Sequence, residues 1–168
     1  MKVSHLVKST WAVGAFLATL VTLIPVTADA EAAASDEAAI RAALSTYQDA
    51  LNASSTAAAM PLYTDDGVFM PPYSQSAVGK TQLKEAYDAV FKNITLHVKF
   101  TVREVVIMSP EWAFARTNSA GTNKINATGA MSAEGNQELF IFRKGSDGKW
   151  RIARYSFSTT NPPPHSGS

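Results

Sequence analysis

The chain has 168 residues, 15 basic and 14 acidic side chains, a formal net charge of +1 and no cysteine. That length suits one domain. A balanced charge without any Lys/Arg-rich run offers nothing to hold a nucleic-acid backbone, and the missing cysteines exclude disulfides, thiolate metal sites and a cysteine nucleophile.

Residues 1–30 have the pattern of a targeting segment. Lys2 and Lys8 precede the apolar run WAVGAFLATLVTLIP, and VTADA ends in Ala28-x-Ala30, the small-residue pattern of signal peptidase. The run is shorter than the roughly 20 residues of a membrane span. The expectation is a signal peptide cleaved after Ala30, a periplasmic or secreted product, and no stable membrane association afterwards. Removing Lys2, Lys8 and Asp29 leaves 13 bases and 13 acids. Asn52, Asn93 and Asn126 each begin an Asn-x-Ser/Thr sequon, a glycan acceptor only in a eukaryotic secretory path; the signal favours a bacterial one.

After the flexible lead-in EAAAS, Ser35 is a fair N-cap with Asp36 and Glu37 in the first turn. Ile40, Ala43, Leu44, Tyr47 and Leu51 then recur at helical spacing, predicting a helix over 36–52. NASS breaks it. STAAAMPLYT starts a shorter helix that Pro61 kinks or ends early, with Asp65 and Asp66 closing it. Gly67–Met70 is a short strand stopped by Pro71-Pro72, and Gly79 opens a third helix over about 80–92, with Leu83, Ala86, Tyr87, Val90 and Phe91 as its stripe.

Beyond Asn93 the period changes to two. LHVKFTVREVVIM, WAFARTNSAGT, NQELFIFRK and KWRIARYSFST are four strands, separated by SPE, a polar loop over 123–133 and the hairpin turn GSDG. NPPPHSGS is a Pro-rich tail, expected to be disordered over 161–168. Helices followed by an antiparallel β-meander define an α+β fold. A strongly curved sheet would wrap three helices and leave a hollow.

Turn positions suggest the register. Pairing Met108 with Trp112 sets Glu104 opposite Arg116 and Val102 opposite Asn118. A loop centred near Ala127 sets Arg116 opposite Glu138 and Phe114 opposite Phe140. A two-residue Asp147-Gly148 turn sets Phe140 opposite Tyr155 and Glu138 opposite Phe157. One face then carries Val98, Phe100, Val102, Phe114, Phe140, Tyr155 and Phe157 with a polar knot of Glu104, Arg116, Asn118 and Glu138. His97, Lys99 and Arg103 lie on the other, so the first is expected to be the inner face. A one-residue slip would reverse a strand. The knot is either an ion network that sets register or a ligand-orienting patch in an apolar pocket.

With those elements placed, TYQDALNAS, LYTDDGVFMP, AVGKTQLKEAY, WAFARTNSAGT, NQELFIFRK and KWRIARYSFSTTNPP resemble the nuclear transport factor 2-like superfamily. More narrowly they resemble its SnoaL-like and ketosteroid-isomerase-like members of the SgcJ/EcaC group. The resemblance covers most of 36–163 and implies a conical fold, with the domain spanning 31–160. It says little about activity, because this superfold hosts isomerases, cyclases, dehydratases and binding modules. Carried over from ketosteroid isomerases, the oxyanion-hole tyrosine falls on Tyr47 and the oxyanion-hole carboxylic acid on Glu138. The general base falls on Pro71, which cannot take a proton, so standard ketosteroid isomerase chemistry is not expected. Asp65 and Asp66 are neighbouring candidates for a base, and Tyr73 for the pocket mouth.

Tyr47 is either a core aromatic with a satisfied hydroxyl or an oxyanion donor. Glu138 is either a neutral acid donor or a carboxylate kept ionised by Arg116. His5, His97 and His165 form no cluster, so neither a histidine metal site nor a Ser-His-Asp site can be built, and no Gly-x-Gly-x-x-Gly follows a strand. No cofactor or metal is expected. Two functions follow. One is an exported domain that binds a small apolar ligand through Tyr73, Glu104, Arg116, Asn118, Phe140 and Tyr155, any catalysis being cofactor-free isomerase- or cyclase-type proton transfer or hydration. The other is a non-catalytic partner-binding module, expected to form a homodimer through an outer face carrying Thr117, Ser119, Ile141 and Ile152.

Overall fold

A computed structural model describes residues 28–161. Most of the expected signal peptide and nearly all of the Pro-rich tail lie outside the described residues, whereas the expected cleavage point after Ala30 falls inside the first helix.

That helix, α1 (Ala28–Asn52), starts eight residues before the expected 36. The alanines of EAAAS favour helix at every position, and Ser35 lies within it rather than capping it. Ile40, Leu44, Tyr47 and Ala50 are at most 2% exposed. Each large apolar side chain buried in this way contributes about 1.5–3 kcal/mol. Asp36 ties the helix to the end of the sheet at the GSDG turn: its Oδ1 accepts from Lys144 Nζ at 2.6 Å and from Trp150 Nε1 at 2.9 Å. Desolvation opposes its charge, but these two donors outweigh it and hold the carboxyl below its usual pKa.

Ser55 caps the one-turn helix α2 (Thr56–Ala59), its side chain accepting from the Ala58 amide at 3.1 Å. A 3-10 turn over Met60–Leu62 takes Pro61 at its start, where no amide proton is needed. The chain then enters strand β1 (Tyr63–Met70), four residues before the expected Gly67. Asp65 and Asp66 therefore lie on a strand, not at a helix end. Strand β2 (Ala77–Val78) leads into α3 (Gly79–Asn93), which buries Leu83 and Tyr87.

The remaining strands are β3 (Ile94–Ile107), β4 (Trp112–Ile125), β5 (Met131–Lys144) and β6 (Trp150–Thr159). The sheet order is β2-β1-β6-β5-β4-β3. The last four strands are the expected meander, but β1 runs parallel to β6, so the sheet as a whole is mixed. The three helices pack on one side of this curved, open sheet. No helix among the described residues is long and apolar enough to cross a membrane.

The edge strand β3 would leave amides and carbonyls unpaired. Side chains of α1 occupy several of them. Asn52 donates to the Val98 carbonyl at 2.9 Å and accepts from the Val98 amide at 2.8 Å, and Gln48 accepts from the Phe100 amide at 2.8 Å. Each sequon asparagine likewise donates its amide nitrogen to backbone: Asn52 as described, Asn93 to Ala89 and Asn126 to Phe91 and Lys92.

Register follows the expected turns in part. Glu104 is opposite Arg116. A bulge between Val102 and Glu104 then puts Val102 opposite Thr117 rather than Asn118. Phe140 is opposite Tyr155 and Glu138 opposite Phe157, as expected. Those two pairs arise by compensation: Lys144 pairs with Trp150, one residue out of step, and a bulge at Ala153 restores the phase. The hairpin between β4 and β5 is one residue out of the expected phase, so Thr117, not Arg116, faces Glu138, and Ala115, not Phe114, faces Phe140.

Candidate active site

That one residue turns β4 over. Its inner row is Ala113, Ala115, Thr117, Ser119 and Gly121. All are small, and the four that carry side chains are buried. The row of β5 beside it is Glu134, Asn136, Glu138, Phe140 and Phe142. Large side chains thus face small ones, and toward the Gly121 end the sheet lacks bulk to fill the space under the helices. Gly121 is required there for a second reason: a Cβ would lie 1.9 Å from the His97 carbonyl oxygen of β3.

The resulting cavity has a volume of about 130 Å³. Helix α1 contributes Tyr47 and Leu51, and α3 contributes Tyr87 and Val90. The β3 side supplies Leu96, Val98 and Phe100. Phe69, Pro71, Tyr155 and Phe157 close the opposite side. Phe69, Tyr155 and Phe157 form a cluster of near-parallel rings, with centroids 5.4, 5.6 and 6.1 Å apart pairwise. Ser119, Glu134, Asn136 and Glu138 make one end polar, and the tyrosines Tyr47, Tyr87 and Tyr155 also line the cavity.

Glu138 is 5% exposed. Desolvation raises its pKa above the ordinary carboxylate value, the Ser119 and Thr117 hydroxyls oppose that rise, and the nearby Glu134 charge adds to it. Thr117 Oγ1 donates to its Oε2. Among the described residues no cation pairs with the group, so its neutral form is favoured more than in water. Glu134 is held differently: its Oε2 accepts from Asn123 Nδ2 at 2.6 Å and its Oε1 from Asn136 Nδ2 at 2.8 Å. Asn136, itself buried, also reaches Ser119 Oγ at 3.4 Å.

Three buried tyrosines share hydrogen bonds, and two of them, Tyr47 and Tyr87, line the cavity. The hydroxyls of Tyr47 and Tyr87 are 2.5 Å apart, and those of Tyr87 and Tyr63 are 2.7 Å apart. Burial pushes all three, and Tyr155, well above the usual tyrosine pKa. Three hydroxyl protons serve two bonds, so one proton remains for another acceptor. The Tyr47 ring meets Tyr155 edge-on at 5.5 Å, and both line the cavity.

Of the candidates from sequence, Tyr47, Glu138 and Tyr155 share this cavity, and Phe140 packs behind it on Tyr155 with centroids 4.2 Å apart. Arg116, Glu104 and Asn118 do not. Arg116 and Glu104 pair with each other on the outer face, with side chains 58% and 38% exposed. Asn118 accepts there from Arg103 Nε at 2.7 Å. The polar knot is thus a surface pair divided from Glu138 by the sheet, and the expected Arg116–Glu138 contact is replaced by Thr117. Tyr73 is 99% exposed. Asp65 faces solvent near Lys80, and Asp66 is bound by Arg143 at 2.8 and 3.2 Å. Pro71 lies on the cavity rim. Thr117, Ser119 and Ile152, expected outside, are all buried, and Ile141 alone of that set is on the outer face.

Sequence reasoning put Thr117 and Ser119 outside because it chose the bulky row of β4 as the inner one, and it passed over Glu134 and Asn136, which share the inner row of β5 with Glu138. The run of small residues at alternate positions was the available signal. It also missed the hydroxyl chain through Tyr63 and Tyr87, which needs three distant segments to meet.

A model of the SnoaL-like domain family matches residues 44–154, and the chain belongs to that family. A ketosteroid isomerase-like protein from Erwinia carotovora atroseptica SCRI1043 is 40% identical, over 76% of this chain and 98% of that one, with a TM-score of 0.73. Two more distant structures share the fold. One, from Novosphingobium aromaticivorans DSM 12444 and provisionally assigned as a scytalone dehydratase, is 15% identical over 83% of this chain and 93% of its own, with a TM-score of 0.69. The other is a nuclear transport factor 2-like superfamily protein from Salmonella enterica serovar Typhimurium LT2, 14% identical over 80% and 99%, with a TM-score of 0.68. No curated protein matches the chain.

Proposed function

We propose that this is an exported SnoaL-like domain that binds a small, mainly apolar ligand in the cavity, with Glu138 and the tyrosine hydroxyls as its hydrogen-bond donors. The single observation that carries this reading is Glu138: an acid 5% exposed, with no cation beside it among the described residues, at the polar end of an aromatic cavity. A site of that kind suits a ligand oxygen that gains negative charge, since a buried neutral acid and a phenol both donate to it in a water-poor setting. Chemistry without a cofactor would be proton transfer of the isomerase or cyclase type. A base equivalent to that of ketosteroid isomerases is lacking, because Pro71 occupies its position on the rim. Export rests on the composition of residues 1–30, with Glu31 as the first mature residue.

The test is native mass spectrometry of protein recovered after export, with extraction of the bound fraction. A co-purifying hydrophobic compound, released by Glu138→Ala but not by Arg116→Ala, is expected. Protein that carries none, and whose melting temperature no compound in a small-molecule panel raises, would reject the reading. N-terminal sequencing of the same sample checks cleavage after Ala30.

A second reading, a homodimer through the outer sheet face, draws support from Trp112, Val106 and Leu139, which are 36–44% exposed on that face. Light scattering at high protein concentration decides it: a monomer there removes the idea.

A further inference from the structure

The cavity has a size and two unlike carboxyl groups, and together they restrict what can enter. An engineered apolar cavity of about 150 Å³ takes one benzene ring, and this one, at about 130 Å³, is in that class. Stacked rings and aliphatic walls suit a flat apolar body. At the polar end, β5 presents Glu134, Asn136 and Glu138 at alternate positions of its inner row. Glu138 is buried among the Ser119 and Thr117 hydroxyls, with no cation beside it among the described residues. Glu134 accepts from two asparagine amides, one per oxygen, which fix the direction of its carboxyl group. Each of its oxygens keeps a lone pair for another donor. Glu138 in its protonated form can donate to a ligand, and the oxygens of Glu134 can accept from it.

We propose that the cavity selects a neutral single-ring compound bearing both a hydrogen-bond acceptor and a donor, and that Glu134 is the residue that reads the donor and turns anions away. This rests on the reading of the cavity as a ligand site. Glu138 meets the acceptor, and Asn123 and Asn136 are positioning residues for Glu134. The four-ring body of a steroid exceeds the space.

Benzamide and benzoate differ in that the first supplies a neutral donor and acceptor and the second an anion of the same shape. Ligand titrations by NMR at pH 7, with a four-ring steroid ketone as competitor, test the proposal on the unaltered protein. Benzamide should bind about tenfold or more tightly than benzoate, the cost of one uncompensated like-charge contact. In Glu134→Gln that gap should shrink to about threefold or less. Equal binding of benzamide and benzoate by the unaltered protein would overturn the proposal, as would an undiminished gap in a folded Glu134→Gln protein. A steroid that displaces benzamide at lower concentration would overturn the single-ring class while leaving the cavity a ligand site. If none of the three compounds binds, both this proposal and the ligand-site reading fall.

Discussion

Thr117 Oγ1 donates a hydrogen bond to Glu138 Oε2, and both residues are buried on the inner face of the sheet. The bond joins adjacent strands at the polar end of the cavity. It stabilises the charged form of an acid that its surroundings otherwise push toward neutrality.

The pH dependence of stability follows from that balance. A carboxyl with a raised pKa in the folded state holds its proton where the unfolded chain has lost it, so stability falls as pH rises between the two values. Glu138→Gln removes this effect. The variant should be more stable than the parent at neutral pH, and the difference should vanish below the ordinary value of 4.5. Urea denaturation from acid to neutral pH checks it. Thr117→Val should widen the gap, since it deletes a donor to the charged form.

Tyr87 occupies the middle of the hydroxyl chain, with Tyr47 on one side and Tyr63 on the other. Tyr87→Phe breaks two buried hydrogen bonds and should cost about 2–3 kcal/mol. Tyr63→Phe breaks one, at an end, and should cost about 1 kcal/mol. Thermal and urea unfolding should rank them in that order.

Asn52 secures the edge strand by holding both polar backbone groups of Val98. Asn52→Ala should cost about 2 kcal/mol. Amide exchange should speed up most at Val98, beyond the change in global stability. Because the side-chain nitrogen is already bonded, expression in a eukaryotic secretory host should leave Asn52 without a glycan, as a mass measurement would show.

Gly121 leaves no room for a methyl group against the His97 carbonyl. Gly121→Ala must push β3 and β4 apart and should destabilise by about 3 kcal/mol. Gly129→Ala is the control: its turn has open space but a φ of 72°, so its cost should be about 1 kcal/mol from backbone strain alone.

Much of the fold was legible because its signals are local. The Ile40–Leu44–Tyr47–Leu51 stripe needs only helical spacing, and Pro61 ends its helix by its own geometry. The Met108–Trp112 turn sets a pairing that survives as far as Glu104–Arg116, whereas Phe140–Tyr155 matches the expected pair only because a bulge at Ala153 offsets a one-residue shift at the Asp147-Gly148 turn. Family resemblance added Tyr47 and Glu138, which do line one cavity. It could not add Glu134, which is recognisable as a candidate only once Asn123 and Asn136 are seen to hold it.

The residue order of this protein was sufficient to specify three helices, a four-strand meander and an acid on β5 bound for the interior. Tertiary structure alone decided which side of β4 meets that acid. Both rows of β4 alternate with period two, and local energetics barely separate them. The choice was made by one residue in the turn after Ile125 and by the bulge beyond Val102, each stabilised by hydrogen bonds to a neighbouring strand. It sent Arg116 to solvent, brought Thr117 to Glu138 and opened the cavity above a row of small side chains.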